Sequence, residues 1–265
     1  MAAVSFTSFF PAGRPFKSGV GLRPHAGGTH TSRTIMLAEL SALLSVEPQP
    51  SDRAEYAEMI IQDNRLGKQT TATRRLSYTR LGELYALDPM VPLFRIMRRL
   101  WRLDETSQPL LALLAGLARD PLLLTTAPTV LQLRPGEDMQ RGAVRSALLN
   151  AVGDRLSAAV LDKVLRNTAS SWTQSGHLIG RTFKRRQQVT ATPITVAFAL
   201  WIACQAGFSD TEAFQSGWVS ALDLEQPNAL QLAGEARRLR LLDMDIAEQV
   251  VTLNFARLDG NLWER

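Results

Sequence analysis

One cysteine and three histidines in 265 residues leave little material for several kinds of chemistry. A lone Cys204 cannot build a disulfide framework, and its place in the apolar run Ala197–Ala206 fits a buried, inert thiol rather than a nucleophile or ligand. His25 and His30 lie in a Gly- and Pro-rich leader, so His177 stands alone in the helically patterned region. No HExxH, paired CxxC, GxGxxG, GxxxxGK[ST] or GxSxG pattern occurs, and the usual zinc, nucleotide and acyl-transfer sites lack their minimum parts. No catalytic residue, metal or cofactor is expected, and the chain reads as a non-enzyme. Long hydrophobic runs are missing too. The longest, Thr195–Ala206, falls well short of the roughly 20 residues that cross a bilayer. No membrane partner is expected, and the composition reads as cytosolic.

What is present is apolar bulk and positive charge. A 45% hydrophobic content buries a sizeable core without a metal or disulfide staple. Thirty Lys and Arg against 25 Asp and Glu give a net charge of +5, which attracts polyanions.

Residues 1–35 hold Arg14, Lys17, Arg23 and Arg33 and no acidic residue, in a setting of Gly, Pro, Ser and Thr. Such a stretch is expected to be disordered. A transit peptide or a start codon placed upstream of the true one gives this look, and Met36 is favoured as the start because helical periodicity begins at Leu37. A helical N-terminal domain is expected over 36–139 and a second domain over 140–265. In Pro92–Leu103, Leu93, Ile96, Met97, Leu100 and Trp101 share one side while Arg95, Arg98, Arg99 and Arg102 form a stripe. Near the end, Val251, Leu253 and Phe255 alternate with polar residues, as a half-buried strand does.

The segment 157–192 carries the functional expectation. Ser157 caps a helix whose inner face holds Leu161, Val164, Leu165, Thr168 and Trp172. The opposite stripe holds Lys163, Arg166, Asn167, Ser170 and Gln174, side chains suited to phosphate oxygens and base edges. Gly176 ends that helix, and Arg181 to Pro193, with Lys184, Arg185 and Arg186, reads as a basic hairpin. Helix, glycine and basic hairpin follow the order of a winged helix. An amphipathic helix with a merely solvated polar face gives the same periodicity. Against it, six Lys or Arg and no Asp or Glu lie between Lys163 and Ser209. A second basic group, Lys68, Arg74, Arg75 and Arg80, extends the footprint along phosphates or pairs with neighbouring acidic helices. A rival expectation is a scaffold whose arginine stripes dock an acidic partner.

The stretch Arg155–Pro193, with Lys163-Val-Leu-Arg-Asn-Thr-Ala-Ser-Ser-Trp-Thr-Gln-Ser-Gly-His-Leu and a basic run ending in Thr-Pro-Ile, resembles the BrxA family of BREX phage-defence accessory proteins. Asp63-Asn-Arg-Leu-Gly-Lys68, Thr73-Arg-Arg75 and Leu81-Gly-Glu-Leu-Tyr85 add to the likeness. The resemblance implies a mainly α fold: a helical N-terminal domain and a winged-helix-like C-terminal domain with a small β hairpin. It also implies double-stranded DNA binding and work beside methyltransferase and ATPase components. The positions carried over are Lys163, Arg166, Asn167 and Ser170, with Lys184 to Arg186 as the wing. This chain departs from the pattern by its longer N-terminus and its loosely matching last helices.

Overall fold

Side-chain caps and prolines set most helix starts. In the residues that the computed structural model describes, 4–25, 28–248 and 250–259, the first helices are α1 (Leu37–Leu44), α2 (Arg53–Ile61), α3 (Thr71–Tyr85) and α4 (Pro92–Trp101). Asp52 and Thr70 accept hydrogen bonds from the backbone N–H groups of Glu55 and Thr73, and Pro92 takes the first position of α4. Asp120 separates α5 (Gln108–Arg119) from α6 (Pro121–Leu131), where its carboxylate caps the Leu122 and Leu123 N–H groups. Helix α5 is buried from Leu110 to Arg119 and forms the centre of the molecule.

The chain continues with α7 (Arg141–Val152), α8 (Ala158–Gln174), β1 (Leu178–Ile179) and β2 (Arg185–Arg186). Then come α9 (Pro193–Gln205), α10 (Asp210–Ala213), α11 (Gly217–Ser220), α12 (Gln226–Arg238), β3 (Asp243–Ala247) and β4 (Val250–Asn254). Helix α9 is buried from Ile194 to Ala203 and packs against α4, α5, α11 and α12. The molecule is thus mainly helical, as expected, and carries two small antiparallel strand pairs. The expected terminal strand is β4, with β3 as its partner in register from Asp243↔Asn254 to Ala247↔Val250. No single helix among the described residues is long and apolar enough to cross a membrane. Glu105–Arg119 and Pro121–Leu131 reach that length only together, across a bend of 119°.

The leader is not disordered, and this corrects the expectation for residues 1–35; residues 1–3, 26 and 27 lie outside the described ones. Phe9 and Phe10 pack edge-on against Trp218, whose Nε1 donates to the Phe9 carbonyl at 2.8 Å. Gly217 makes this possible, because a Cβ there would lie 2.8 Å from the Phe9 ring. Further along, the buried Arg119 guanidinium donates to the carbonyls of Gly21, Gly82 and Glu83. Burial pulls that guanidinium down to about 10. A clasp at His30 completes the docking. Its Nδ1 meets Asp120 Oδ2 at 2.9 Å, its Nε2 meets Ser171 Oγ at 2.8 Å, and its backbone N–H donates to Asp120. Burial alone would raise the Asp120 carboxyl, but His30 and the capped N–H groups hold it below the usual carboxylate range. The physical reason for the correction is distance: each partner of the leader comes from a remote part of the chain.

Candidate nucleic-acid interface

From α6 to β2 the chain runs helix, bridged segment, helix, helix, strand, strand. The bridged segment is residues 136–139, which meets β2 through the isolated bridge Asp138↔Arg185. Strand β2 lies in the middle, paired on its other side with β1 through Leu178↔Arg186 and Ile179↔Arg185. The order of elements follows the one expected from the sequence, with α8 leading into the β1–β2 hairpin and residues 180–184 as its turn, the expected wing. An expected domain boundary after residue 139 falls inside the ladder, since the Met139 N–H donates to the Lys184 carbonyl at 2.7 Å. The Trp172 indole is buried and donates to Thr126 Oγ1, tying α8 to α6. Arg145 and Asp162 pair at 2.9 Å across α7 and α8.

The expected site residues separate into two sets. Lys163 and Arg166 are exposed on the N-terminal half of α8, with no carboxylate partner among the described residues. Asn167 is taken by the leader and Gln174 by the start of α1. Asn167 Nδ2 donates to the His30 carbonyl at 2.8 Å, and Gln174 Oε1 accepts from the Leu37 N–H at 3.1 Å. Ser170 is half-buried and faces the Gln174 amide at 3.4 Å. The polar stripe is therefore open only over its first two turns.

At the wing, Arg181 is exposed, and Lys184 Nζ donates to the Gly180 carbonyl at 2.6 Å, where partial burial lowers the ammonium. Arg185 pairs loosely with Asp138 at 3.2 Å, both largely exposed. Arg186 corrects the sequence expectation. It is 4% exposed, paired with Asp223, and donates to the His177 and Gln187 carbonyls, so it braces the hairpin from inside and cannot reach a phosphate. Strand alternation explains this, because Arg185 and Arg186 must face opposite sides.

The other basic groups are mostly engaged within the chain. Arg74 donates to the carbonyls of Lys68 and Ile61, Lys68 pairs with Glu39 and Arg80 with Glu83, which leaves Arg75 exposed. In the α4 stripe, Arg95 grips Asp259 through two hydrogen bonds and Arg98 donates to the Pro50 carbonyl. Arg99 donates to the Arg257 carbonyl, and Arg102 pairs with Glu47. Each arginine of the stripe thus has a partner within the chain, with Arg95 and Arg98 half-buried and Arg99 and Arg102 still exposed. His177 is fully buried between Ser175 Oγ and the Ala221 carbonyl, and desolvation lowers it to about 4. Cys204 is half-buried, and burial beside Asp210 pushes its thiol far up. Among the described residues no group of His, Cys, Asp or Glu is placed to hold a metal ion.

Two cations that the sequence reading passed over belong here. Arg134 and Arg141 are exposed, at the turn before the bridged segment and at the start of α7. The bond from Met139 to Lys184 brings that segment against the wing. Residues 121–192 contain ten Arg or Lys and four Asp or Glu, a net charge of +6. The whole chain carries +5, so all remaining residues together carry −1.

No protein-family model matches this chain, and no curated protein is significantly similar to it.

Proposed function

We propose that this chain binds double-stranded DNA through the module 121–192. In this reading Lys163 and Arg166 enter the major groove, while Arg181, Lys184 and Arg185, flanked by Arg134 and Arg141, follow the adjacent backbone. The observation that carries the proposal is charge segregation: a net +6 on the winged-helix segment of a chain that is otherwise slightly acidic. A B-form major groove admits a helix such as α8, whereas the deep, narrow major groove of A-form RNA does not, which favours duplex DNA. Arg166 supplies the planar fork that pairs with guanine, and the remaining cations read phosphates alone. The resemblance of Arg155–Pro193 to BrxA proteins extends the proposal to an accessory role beside a methyltransferase and an ATPase in BREX-type phage defence.

Of the cations that read phosphates, five, Lys163, Arg181, Lys184, Arg134 and Arg141, form no ion pair among the described residues. Counterion release then sets a salt slope of about −4.5 in log affinity against log salt, at about 0.9 for each phosphate neutralised. The test is duplex binding by the full chain at two salt concentrations, with Lys163→Ala/Arg166→Ala as the variant. The slope is expected to fall by about 1, for the Lys163 phosphate, and the affinity to drop further through the lost Arg166–guanine pairing, with folding intact. Equal affinity and slope in the folded variant would refute the assignment.

A further inference from the structure

We infer that Phe183, at the wing tip, is a base-contacting wedge that sets its ring against a base step of the bound duplex. The inference rests on the DNA-binding reading above. Phe183 is 84% exposed, the most exposed large apolar side chain among the described residues. Single apolar residues on a surface are ordinary; the support beneath this one is not. The turn from Gly180 to Lys184 requires glycine at its first position, because Gly180 has φ +104° and a Cβ there would lie 2.1 Å from the Phe183 carbonyl oxygen. Lys184 Nζ closes the turn on the Gly180 carbonyl. Below the turn, β2 is bonded to residues 136–139 by Met139 N–H to Lys184, Arg186 N–H to Glu137 and Gly136 N–H to Arg186, at 2.7–2.8 Å. The ring therefore stands at the end of a braced hairpin.

Its surroundings select the partner. Arg181, Lys184 and Arg185 lie within two residues of Phe183 in the chain, and Arg185 engages Asp138. An aromatic ring amid cations suits a ligand that joins flat apolar faces to a line of negative charge, and a nucleic acid has that composition. On a winged helix the wing also reaches backbone beside the groove that holds the recognition helix, which places Phe183 at a neighbouring base step. Apolar side chains used in this way partly unstack the step that they enter.

The experiment uses the full chain and a set of short duplexes, each with 2-aminopurine at one position, whose fluorescence rises on unstacking. Wild type, Phe183→Ala, Phe183→Trp and Lys163→Ala/Arg166→Ala are compared. Phe183→Ala is expected to bind about tenfold more weakly, with an unchanged salt slope because no charge is removed. Wild type and Phe183→Trp raise the fluorescence at a discrete step, and saturating Phe183→Ala does not. If Phe183→Ala matches wild type in affinity and fluorescence while Lys163→Ala/Arg166→Ala loses binding, the wedge is refuted, DNA binding stands, and an apolar pocket on a protein partner becomes the reading for the ring. If wild type binds no duplex, both readings fall together.

Discussion

Replacing His30 by alanine tests whether the leader is part of the fold. The imidazole is fully buried and makes two side-chain contacts, to Asp120 at 2.9 Å and to Ser171 at 2.8 Å. A hydrogen bond to a charged group contributes about 1.5–3 kcal/mol and one to a neutral group about 1 kcal/mol. The variant leaves Asp120 with the N–H groups of His30, Leu122 and Leu123, so the carboxylate is not stripped bare. The cost is accordingly placed near the lower end of that for a broken buried pair, about 3 kcal/mol. Urea unfolding should show an earlier midpoint at unchanged slope, and thermal unfolding a fall of roughly 6–12 °C, at about 2–4 °C for each kcal/mol. A loss below about 1 kcal/mol would mean that the leader does not dock on α6 and α8, and the reasoning would be refuted.

Asp223→Ala leaves the Arg186 guanidinium buried without its carboxylate, and a loss of at least about 3 kcal/mol is expected by chemical denaturation; a neutral result would show that water reaches Arg186. Gly217→Ala is expected to destabilise by about 1–3 kcal/mol through the Phe9 ring, although glycine to alanine in a helix ordinarily stabilises, so a gain in stability would show Phe9 to be elsewhere. Because His177 is held at about 4 against an ordinary 6.5, the unfolded chain takes up this proton first as pH falls. Stability from this group is complete above pH 6.5 and declines by about 3 kcal/mol on going to pH 4, a dependence that His177→Gln should remove from the difference between urea titrations at the two pH values.

The elements legible in the sequence are those whose signals are local. Helix α8 announces itself through the Ser157 cap, the inner face from Leu161 to Trp172 and the terminal Gly176, and α4 through its Pro92 start and split faces. The alternation of Val251 and Leu253 gave β4, whereas β3 carries Asp243 and Asp245 around its single inward residue, Met244, and has no comparable pattern. Lys163 and Arg166 were legible as exposed cations because helical periodicity alone decides where they face. Asn167, Gln174 and Arg186 were not, since their partners His30, Leu37 and Asp223 lie far away in sequence. The leader misled for the same reason: its Gly and Pro content signals disorder, while its anchors, Phe9 and His30, are isolated residues with no period.

The docking of Phe9 on Trp218 also has a meaning for synthesis. At about 5–20 residues per second, a ribosome needs on the order of 10–40 s after Phe9 to add Trp218, 209 positions later. For that interval the first aromatic residues leave the exit tunnel without their binding surface, and His30 likewise precedes Ser171. The segment from Phe9 to His30 is therefore made well before its binding surface and is among the last to settle. Closing so long a loop is a slow entropic step, and the waiting Phe6, Phe9, Phe10 and Phe16 form the kind of apolar cluster that chaperones capture.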